Sequence, residues 1–432
     1  MAEKKALVIG GGIAGMQASL DLADQGVKVY LVERNPSIGG NMAKLDKTFP
    51  TLDCAACIIT PKLVDTGGHE NIELLTYSEV QNISGKAGAF KVKVLKKARY
   101  VDIDKCTGCA ACTHACVLKN RILDEHNEGM GKRAAAYISF PQAVPLKATI
   151  DPERCLFLTK GKCTMKCVEA CGPGAINHEQ KPVELELEVG SIIVATGFTL
   201  DDAAKKPEYG FGVYPNVITS LQIERLLSPS GPTGGDVTRP SDGESPKNVA
   251  FLQCVCSRDS NTNVHCSRFC CMQAIKEAIL LKEHNSDVEV SIFYIDIRAF
   301  GKGYEELYNR ARDEFGVKFV KGRIAEIHET KGKNLITVGE DVESGSVIES
   351  EFDLVVLSVG SVPNPLPEGI GLEIPVWRDN FYQAENPYLD AVSTSVAGVF
   401  VAGCAESPKD IPDSVTQASA AAMQASIILE DR

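Results

Sequence analysis

The sequence predicts an α/β protein made of two strand–helix–strand units, the first interrupted by a cysteine-rich insertion. Three observations carry that prediction. A glycine-rich turn joins the apolar strand KALVIG to the amphipathic helix MQASLDLADQG, which Gly26 stops, and the strand VKVYLVE follows, ending in Glu33. A similar pattern runs from NVAFLQ (248–253) through the helix MQAIKEAILLKEH and the strand VEVSIFYID to FDLVVLSVG (352–360). Between them, from about Tyr100 to His178, the chain turns cysteine-rich, glycine-dotted and poor in long apolar runs.

The remaining elements follow in order. VGSIIVATGF (189–198) resumes strand-and-turn character, and SPSGPTGGDVTRPSDGESP (228–246) has the Pro, Gly, Ser and Asp of a linker or long surface loop. EELYNRARDEFG reads as a helix with a solvated charged face, and GVFVAG (398–403) with the alanine-rich SVTQASAAAMQASIIL closes the chain. The expected division is a first domain of 1–98, 181–245 and 366–432, an insertion over 99–180, and a second domain over 246–365.

Composition narrows the function. The chain has 432 residues, room for two or three domains with cores of their own, and 44% hydrophobic, 24% charged and 6% aromatic residues, an ordinary globular mixture. A formal charge of −12 argues against nucleic acid or an anionic membrane surface as the main partner. The longest apolar stretches, such as Ser191–Thr196, are strand-length, and MAEKKALVIGGG enters a strand with no signal-peptide core. A cytoplasmic protein without membrane insertion is expected. No Ser-His-Asp or paired-carboxylate constellation points to a hydrolase.

Gly10, Gly12 and Gly15 form G-x-G-x-x-G between strand and helix, with Glu33 ending the next strand. The first glycine makes the turn, the second lets a pyrophosphate approach the helix N-terminus, and the third lets helix pack on strand. The acid accepts a ribose hydroxyl. Arg34 and Gly40 lie just beyond it as further cofactor-binding candidates. FAD is favoured over NAD because TSVAGVFVAG, ending at Gly403, resembles the second FAD-contacting segment of flavoproteins with two dinucleotide-binding domains. Ala195, Thr196 and Gly197 resemble a recurring turn of the same proteins. An Asp normally follows that second glycine and binds the ribityl chain; Cys404 stands here instead, with Glu406 or Asp410 as replacements. The second unit has no glycine between Lys247 and Gly301, which removes the usual pyrophosphate cradle and argues against NAD(P)H there.

The 16 cysteines are too many for a cytosolic chain without metal or redox work. Cys106, Cys109, Cys112 and Cys116 have the C-x2-C-x2-C-x3-C spacing of bacterial ferredoxins, with Val117 in place of proline. Cys155, Cys163, Cys167 and Cys171 form a second run. The fourth cysteine of each run should ligate the other [4Fe–4S] cluster, so Cys171 joins the first three and Cys116 joins Cys155, Cys163 and Cys167. Cys254, Cys266, Cys270 and Cys271 are the favoured ligands of a third cluster, with Cys256 spare; zinc or plain thiols are the alternatives. Cys54 and Cys57 lie roughly where disulfide-reductase flavoproteins place a redox dithiol, and serve as a flavin-adjacent pair, as an extra cluster ligand, or as buried inert thiols. Lys62 is read either as reaching the flavin N5 side or as a surface lysine. His114 and His265 are read as packed or solvated.

GGGIAGMQASLDLADQG, TLDCAACIITPKLV, CTGCAAC, ITSLQIERLLSPSGPTGG, RPSDG and QCVCSRD with CSRFCC together resemble the A-subunit family of heterodisulfide reductases (HdrA) over nearly the whole chain. The resemblance implies a thioredoxin-reductase-like, two-dinucleotide-binding-domain flavoprotein with an inserted two-[4Fe–4S] ferredoxin-like module. It also implies flavin-based electron bifurcation between ferredoxin and a disulfide-reducing partner in anaerobic, methanogenesis-type metabolism. Implied partners are B- and C-like subunits, a hydrogenase- or formate-dehydrogenase-linked iron–sulfur protein, ferredoxin and a second copy of the chain. Typical members carry further N-terminal sequence and a C-terminal ferredoxin module, so this chain resembles the short forms. A non-bifurcating relay in sulfur or aromatic metabolism and a dithiol or NAD(P)H disulfide reductase are the other readings.

Overall fold

A computed structural model describes residues 4–430; Met1–Glu3, where the expectation about a signal peptide begins, and Asp431–Arg432 lie outside the described residues. The chain forms two compact units. Of the described residues, the first takes 4–43, Cys57–Phe198 and 363–430, and the second Lys44–Ala56 and Thr199–Val362.

The first unit is organised on a five-stranded parallel sheet, in the order Val399–Val401, Ser191–Val194, Lys5–Ile9, Lys28–Glu33, Ile72–Thr76. Its strands read as unbroken apolar runs because both faces are covered. One face carries the helix Ile13–Asp24 and the helix Ile411–Glu430, whose Ala418, Ala421, Ala422 and Ala425 are wholly buried. Alanines at that spacing let the two helices lie close, and Ser419 Oγ donates to Asp21 Oδ2 at 2.6 Å. The other face packs on a three-stranded antiparallel sheet of Ser78–Lys86, Ala89–Lys96 and Val183–Val189, an element the motif reading did not foresee. In KVKVLK and VELELEV the apolar residues alternate with Lys and Glu, so one face meets the core and the other meets water.

The cysteine-rich segment hangs between Lys96 and Val183 as short helices and two-residue strands around a small core that includes Val101, Cys112, Ala136, Ile150 and Cys155. Arg99 roots it in the first unit. Its buried guanidinium donates to Pro36 O at 2.8 Å, Thr76 Oγ1 at 2.9 Å and Thr149 Oγ1 at 2.8 Å. Burial lowers its pKa to about 10, so it remains a cation at neutral pH.

The second unit is a seven-stranded sheet in the order Val217–Thr219, Leu354–Val359, Asn248–Val255, Glu289–Tyr294, Lys318–Glu329, Leu335–Asp341, Ser346–Phe352. The first five strands are parallel and the last two add antiparallel hairpins, again not foreseen. The helix Cys270–His284 is buried from Cys271 to Leu281, whereas Tyr304–Asp313 buries only Tyr304, Leu307 and Ala311 and solvates its charges. Among the described residues no helix is long and apolar enough to cross a membrane.

A buried charge cluster ties Lys44–Ala56 to this unit. Glu224 and Lys276 are paired at 0% and 1% side-chain exposure. Lys276 Nζ also donates to Lys47 O at 2.9 Å, and Glu224 Oε2 accepts from Asp46 N at 3.0 Å. Gln273 Nε2 donates to Glu277 Oε1 at 2.9 Å, and burial beside Glu224 pushes the Glu277 carboxyl well up. Removing the one ammonium leaves carboxyl groups in a water-free site. Lys276→Met is expected to destabilise the protein by about 3–5 kcal/mol in urea denaturation at neutral pH; a loss below about 1 kcal/mol would show that water reaches the cluster.

Candidate functional site

The opening turn is built by close approach. A Cβ on Gly10 (φ +110°) would lie 2.3 Å from Ala195 O, and one on Gly15 would lie 1.8 Å from Gly10 O. Gly12 is different: a Cβ there would meet nothing within 4 Å, so its face at the helix N-terminus is open. Glu33 is fixed beside it, with Oε2 accepting from Gly11 N at 2.7 Å and Oε1 from Asn35 N at 2.8 Å. Burial raises its carboxyl pKa against those N–H groups. Gly40 packs on the same turn, since a Cβ there would be 2.9 Å from Gly12 Cα, while Arg34 is exposed.

The Ala195–Gly197 turn is held by Asn364, whose carbonyl accepts from Thr196 Oγ1 at 2.8 Å; its Nδ2 donates to Thr196 O at 2.9 Å and its N to Gly197 O at 3.0 Å. Gly403 (φ +67°) comes against the first helix, its Cβ position 2.7 Å from Ala14 Cβ. Cys404 is buried, with its thiol donating to Lys409 O at 3.3 Å, and burial pushes that thiol up. Lys409, which the sequence reading missed, is buried and pairs with Glu406 at 2.9 Å. Asp410 Oδ1 accepts from Asp413 N at 2.9 Å in the first turn of the last helix. Turn, open glycine face and placed carboxylate together suit a dinucleotide such as FAD.

Cys54 and Cys57 are both exposed, which removes the buried-thiol alternative. Cys57 lies in the first turn of the helix Ala55–Gly68, and the Cys54 backbone bridges to Lys47. Lys62, further along that helix, donates to Gln17 Oε1 on the first helix.

The insertion brings its thiols into two groups. Around Cys112, whose pKa burial raises, lie Cys106 and Cys171; around Cys167, pushed to about 11 chiefly by burial, lie Cys116, Cys155 and Cys163. Amides point at the sulfurs: Ala148 N to Cys106 at 3.5 Å, Ala175 N to Cys171 at 3.2 Å and Met165 N to Cys163 at 3.5 Å. Cys109 is exposed, and the Ala111 amide lowers its thiol pKa. Left-handed Ala110 (φ +59°) and Met165 (φ +50°) stand at equivalent places, each just before a short helix. His114 is exposed.

In the second unit Cys254, Cys266, Cys270 and Cys271 line one cavity. Cys256 is turned away, with its thiol 3.6 Å from Asp202 O and pushed to about 11, first by burial and then by Asp201. His265 Nε2 is 2.8 Å from Ser361 O, outside that cavity's lining. The missing glycine turn is replaced by left-handed Cys254 (φ +63°), Cys256 (φ +53°), Arg258 (φ +55°) and Arg268 (φ +61°). Such residues are held at a cost of about 1–3 kcal/mol each, and they gather at functional sites. Among the described residues no three His, Cys, Asp or Glu converge closely enough for a single metal ion. A four-iron cluster spreads its thiolates wider than one tetrahedral ion does, so cavities walled by four sulfurs suit the cluster better than zinc.

Fold and site define a class, the FAD-dependent oxidoreductases with two dinucleotide-binding domains. The family model described as FAD dependent oxidoreductase matches residues 6–51. The fold is that of thioredoxin reductase from Lactococcus lactis, at TM-score 0.55 and 16% identity over 100% of both chains. More particularly, relatives at about 50% identity over 98% of the chain are A-subunits of heterodisulfide reductases. The chain is 53% identical over 98% of its length to the iron-sulfur A-subunit of CoB–CoM heterodisulfide reductase from Methanocaldococcus jannaschii. It is 52% identical, over the same share, to the A-subunit of the H(2):CoB-CoM heterodisulfide,ferredoxin reductase from Methanothermobacter thermautotrophicus. It spans 64% of the length of each.

Two outcomes test the site. Gly12→Ala is expected to keep the thermal midpoint while weakening FAD affinity by about tenfold or more, read by flavin release on ultrafiltration; unchanged affinity would place the pyrophosphate elsewhere. Asp259, near the cysteine turn, accepts from Lys206 at 2.5 Å and Arg323 at 3.1 Å, and Lys206 above all lowers its carboxyl to about 2. The stability it contributes is therefore present above about pH 4 and lost as pH falls through about 2. The midpoint difference between wild type and Asp259→Asn should be constant from pH 8 to pH 5 and shrink below about pH 4.

Proposed function

We propose that this chain is the flavin- and iron–sulfur-containing electron-transfer part of a heterodisulfide-reductase-like oxidoreductase, serving flavin-based electron bifurcation between ferredoxin and a disulfide-reducing partner. One observation carries the reading: a dinucleotide turn and three four-cysteine groups occur in a single chain. Its 53% identity to one component of a heterodisulfide reductase supports it. FAD supplies the exchange between two-electron and one-electron chemistry, and [4Fe–4S] clusters supply single-electron transfer.

The chain's own residues supply position and electrostatics. Gly10, Gly12 and Gly15 present helix amides to the pyrophosphate, and Glu33 offers its carboxylate to a ribose, with Gly40, Ala195–Gly197 and Gly403–Cys404 completing the wall. Lys62, whose ammonium donates to Gln17 on the first helix, would supply positive charge to a flavin held beside that helix. Cys106, Cys109, Cys112 and Cys171 hold one cluster, Cys155, Cys163, Cys167 and Cys116 a second, and Cys254, Cys266, Cys270 and Cys271 a third.

The name of the Methanothermobacter relative couples heterodisulfide and ferredoxin. That supports ferredoxin as one partner, alongside B- and C-like subunits, a hydrogenase- or formate-dehydrogenase-linked protein, and a second copy of the chain in the cytoplasm. The exposure of Cys54 and Cys57 favours a second reading, a dithiol that exchanges with a disulfide.

The test is an anaerobic reductive titration of the purified holoprotein, with iron and flavin counted beforehand. Three clusters give about 12 Fe per FAD and two give about 8. Flavin reduced in a single two-electron step supports bifurcation. Two one-electron steps separated over a wide potential range would make the chain a simple relay.

A further inference from the structure

The cavity walled by Cys254, Cys266, Cys270 and Cys271 differs from the one around Cys167 in the charge of its walls. Three arginines, Arg258, Arg268 and Arg298, line it beside the four cysteines. The Arg268 amide donates to Cys266 Sγ at 3.3 Å, and the charge of Arg258 acts on the Cys254 thiol, lowering its pKa against burial. The lining has one carboxylate, Asp296, which pairs with Arg258 at 2.6 Å and Arg298 at 3.5 Å. The Arg268 guanidinium lies over the Phe300 ring at 5.0 Å. Three cations against one anion leave this wall at +2.

The cavity around Cys167 is mostly apolar, with Val117, Leu118, Ile150 and Phe157 among its walls. Its charged lining is the exposed Lys166. His178 also lines it, with its ring 4.8 Å from that of Phe157.

We propose that Arg258, Arg268 and Arg298 raise the reduction potential of the cluster in the second unit above that of the cluster at Cys116, Cys155, Cys163 and Cys167, so that the second unit is reduced first. The inference rests on the cluster reading of both cavities. Reduction adds one negative charge to a cluster that already carries four thiolates. An amide reaches a sulfur in each cavity, so the wall's charge separates them: a net positive wall favours that added charge, whereas an apolar wall opposes it. Arg258 is the strongest contributor because its charge acts on the Cys254 thiol in the cavity wall. Arg268 and Arg298 act at longer range through their charge.

The experiment is a mediated redox titration of the anaerobic holoprotein followed by low-temperature EPR. Cys270→Ser and Cys167→Ser assign the two signals by their loss. The Cys270-dependent signal is expected at higher potential than the Cys167-dependent one. Arg258→Gln should move it to lower potential and leave the other in place, with Arg258→Lys restoring most of the shift. The reverse order of the two signals, or an unmoved potential in Arg258→Gln with iron intact, overturns the proposal. Where Arg258→Gln loses iron, Arg298→Gln serves in its place, since that side chain is 43% exposed; an unmoved potential there overturns the proposal equally. If Cys270→Ser loses neither iron nor signal, the cluster reading itself fails, a result distinct from a failure of the tuning.

Discussion

Gly15 sits so near Gly10 that a side-chain carbon would fall 1.8 Å from the Gly10 carbonyl oxygen, and Gly10 has the same relation to Ala195 at 2.3 Å. Much of the first unit depends on that approach. It sets the first helix against the sheet, delivers the Gly11 amide to Glu33 and leaves the Gly12 face open at the positive end of the helix. Gly40 and Gly403 are consequences of it, since each lies where a helix already pressed on the sheet leaves no room for a Cβ. The alanines of Ile411–Glu430 belong to the same economy of space, because larger side chains would push the last helix away.

Thiols impose the second constraint. Burial raises the pKa of Cys112, Cys167, Cys254, Cys270 and Cys271, so the bare protein prefers neutral thiols where a cluster needs thiolates. Iron binding offsets that preference, which couples cluster loading to the stability of the insertion and of the Cys254–Cys271 turn. The cysteines outside these groups differ. Cys256 and Cys404 give their thiols to backbone carbonyls of Asp202 and Lys409, an arrangement that favours the neutral form.

Legibility followed the locality of each force. Buried parallel strands announce themselves as apolar runs, as at Ala6–Ile9 and Leu354–Val359, and the first helix, Ile13–Asp24, by its glycine stop at Gly26. The antiparallel additions at Ser78–Lys96 and Lys318–Phe352 were passed over because their half-solvated strands are full of Lys and Glu and lack a motif. Lys409, buried beside Glu406, and Lys276, buried beside Glu224, look like surface lysines in the sequence. Nothing in the residues around them says that water will be excluded.

The sequence by itself determined the glycine turn, the carboxylate that answers it and the spacing of the cysteine runs, because each is settled within a few residues by backbone sterics and turn geometry. Tertiary structure alone decided what surrounds those groups. It turned Cys256 away from Cys254 and brought Asp296 and Arg298 against Cys271 from 25 and 27 positions away along the chain. It also drew Lys44–Ala56 into the second unit through Asp46 and Lys47. The physical reason is that burial and local charge are set by segments distant in the chain, and a thiol's proton affinity and a cluster's potential depend on both.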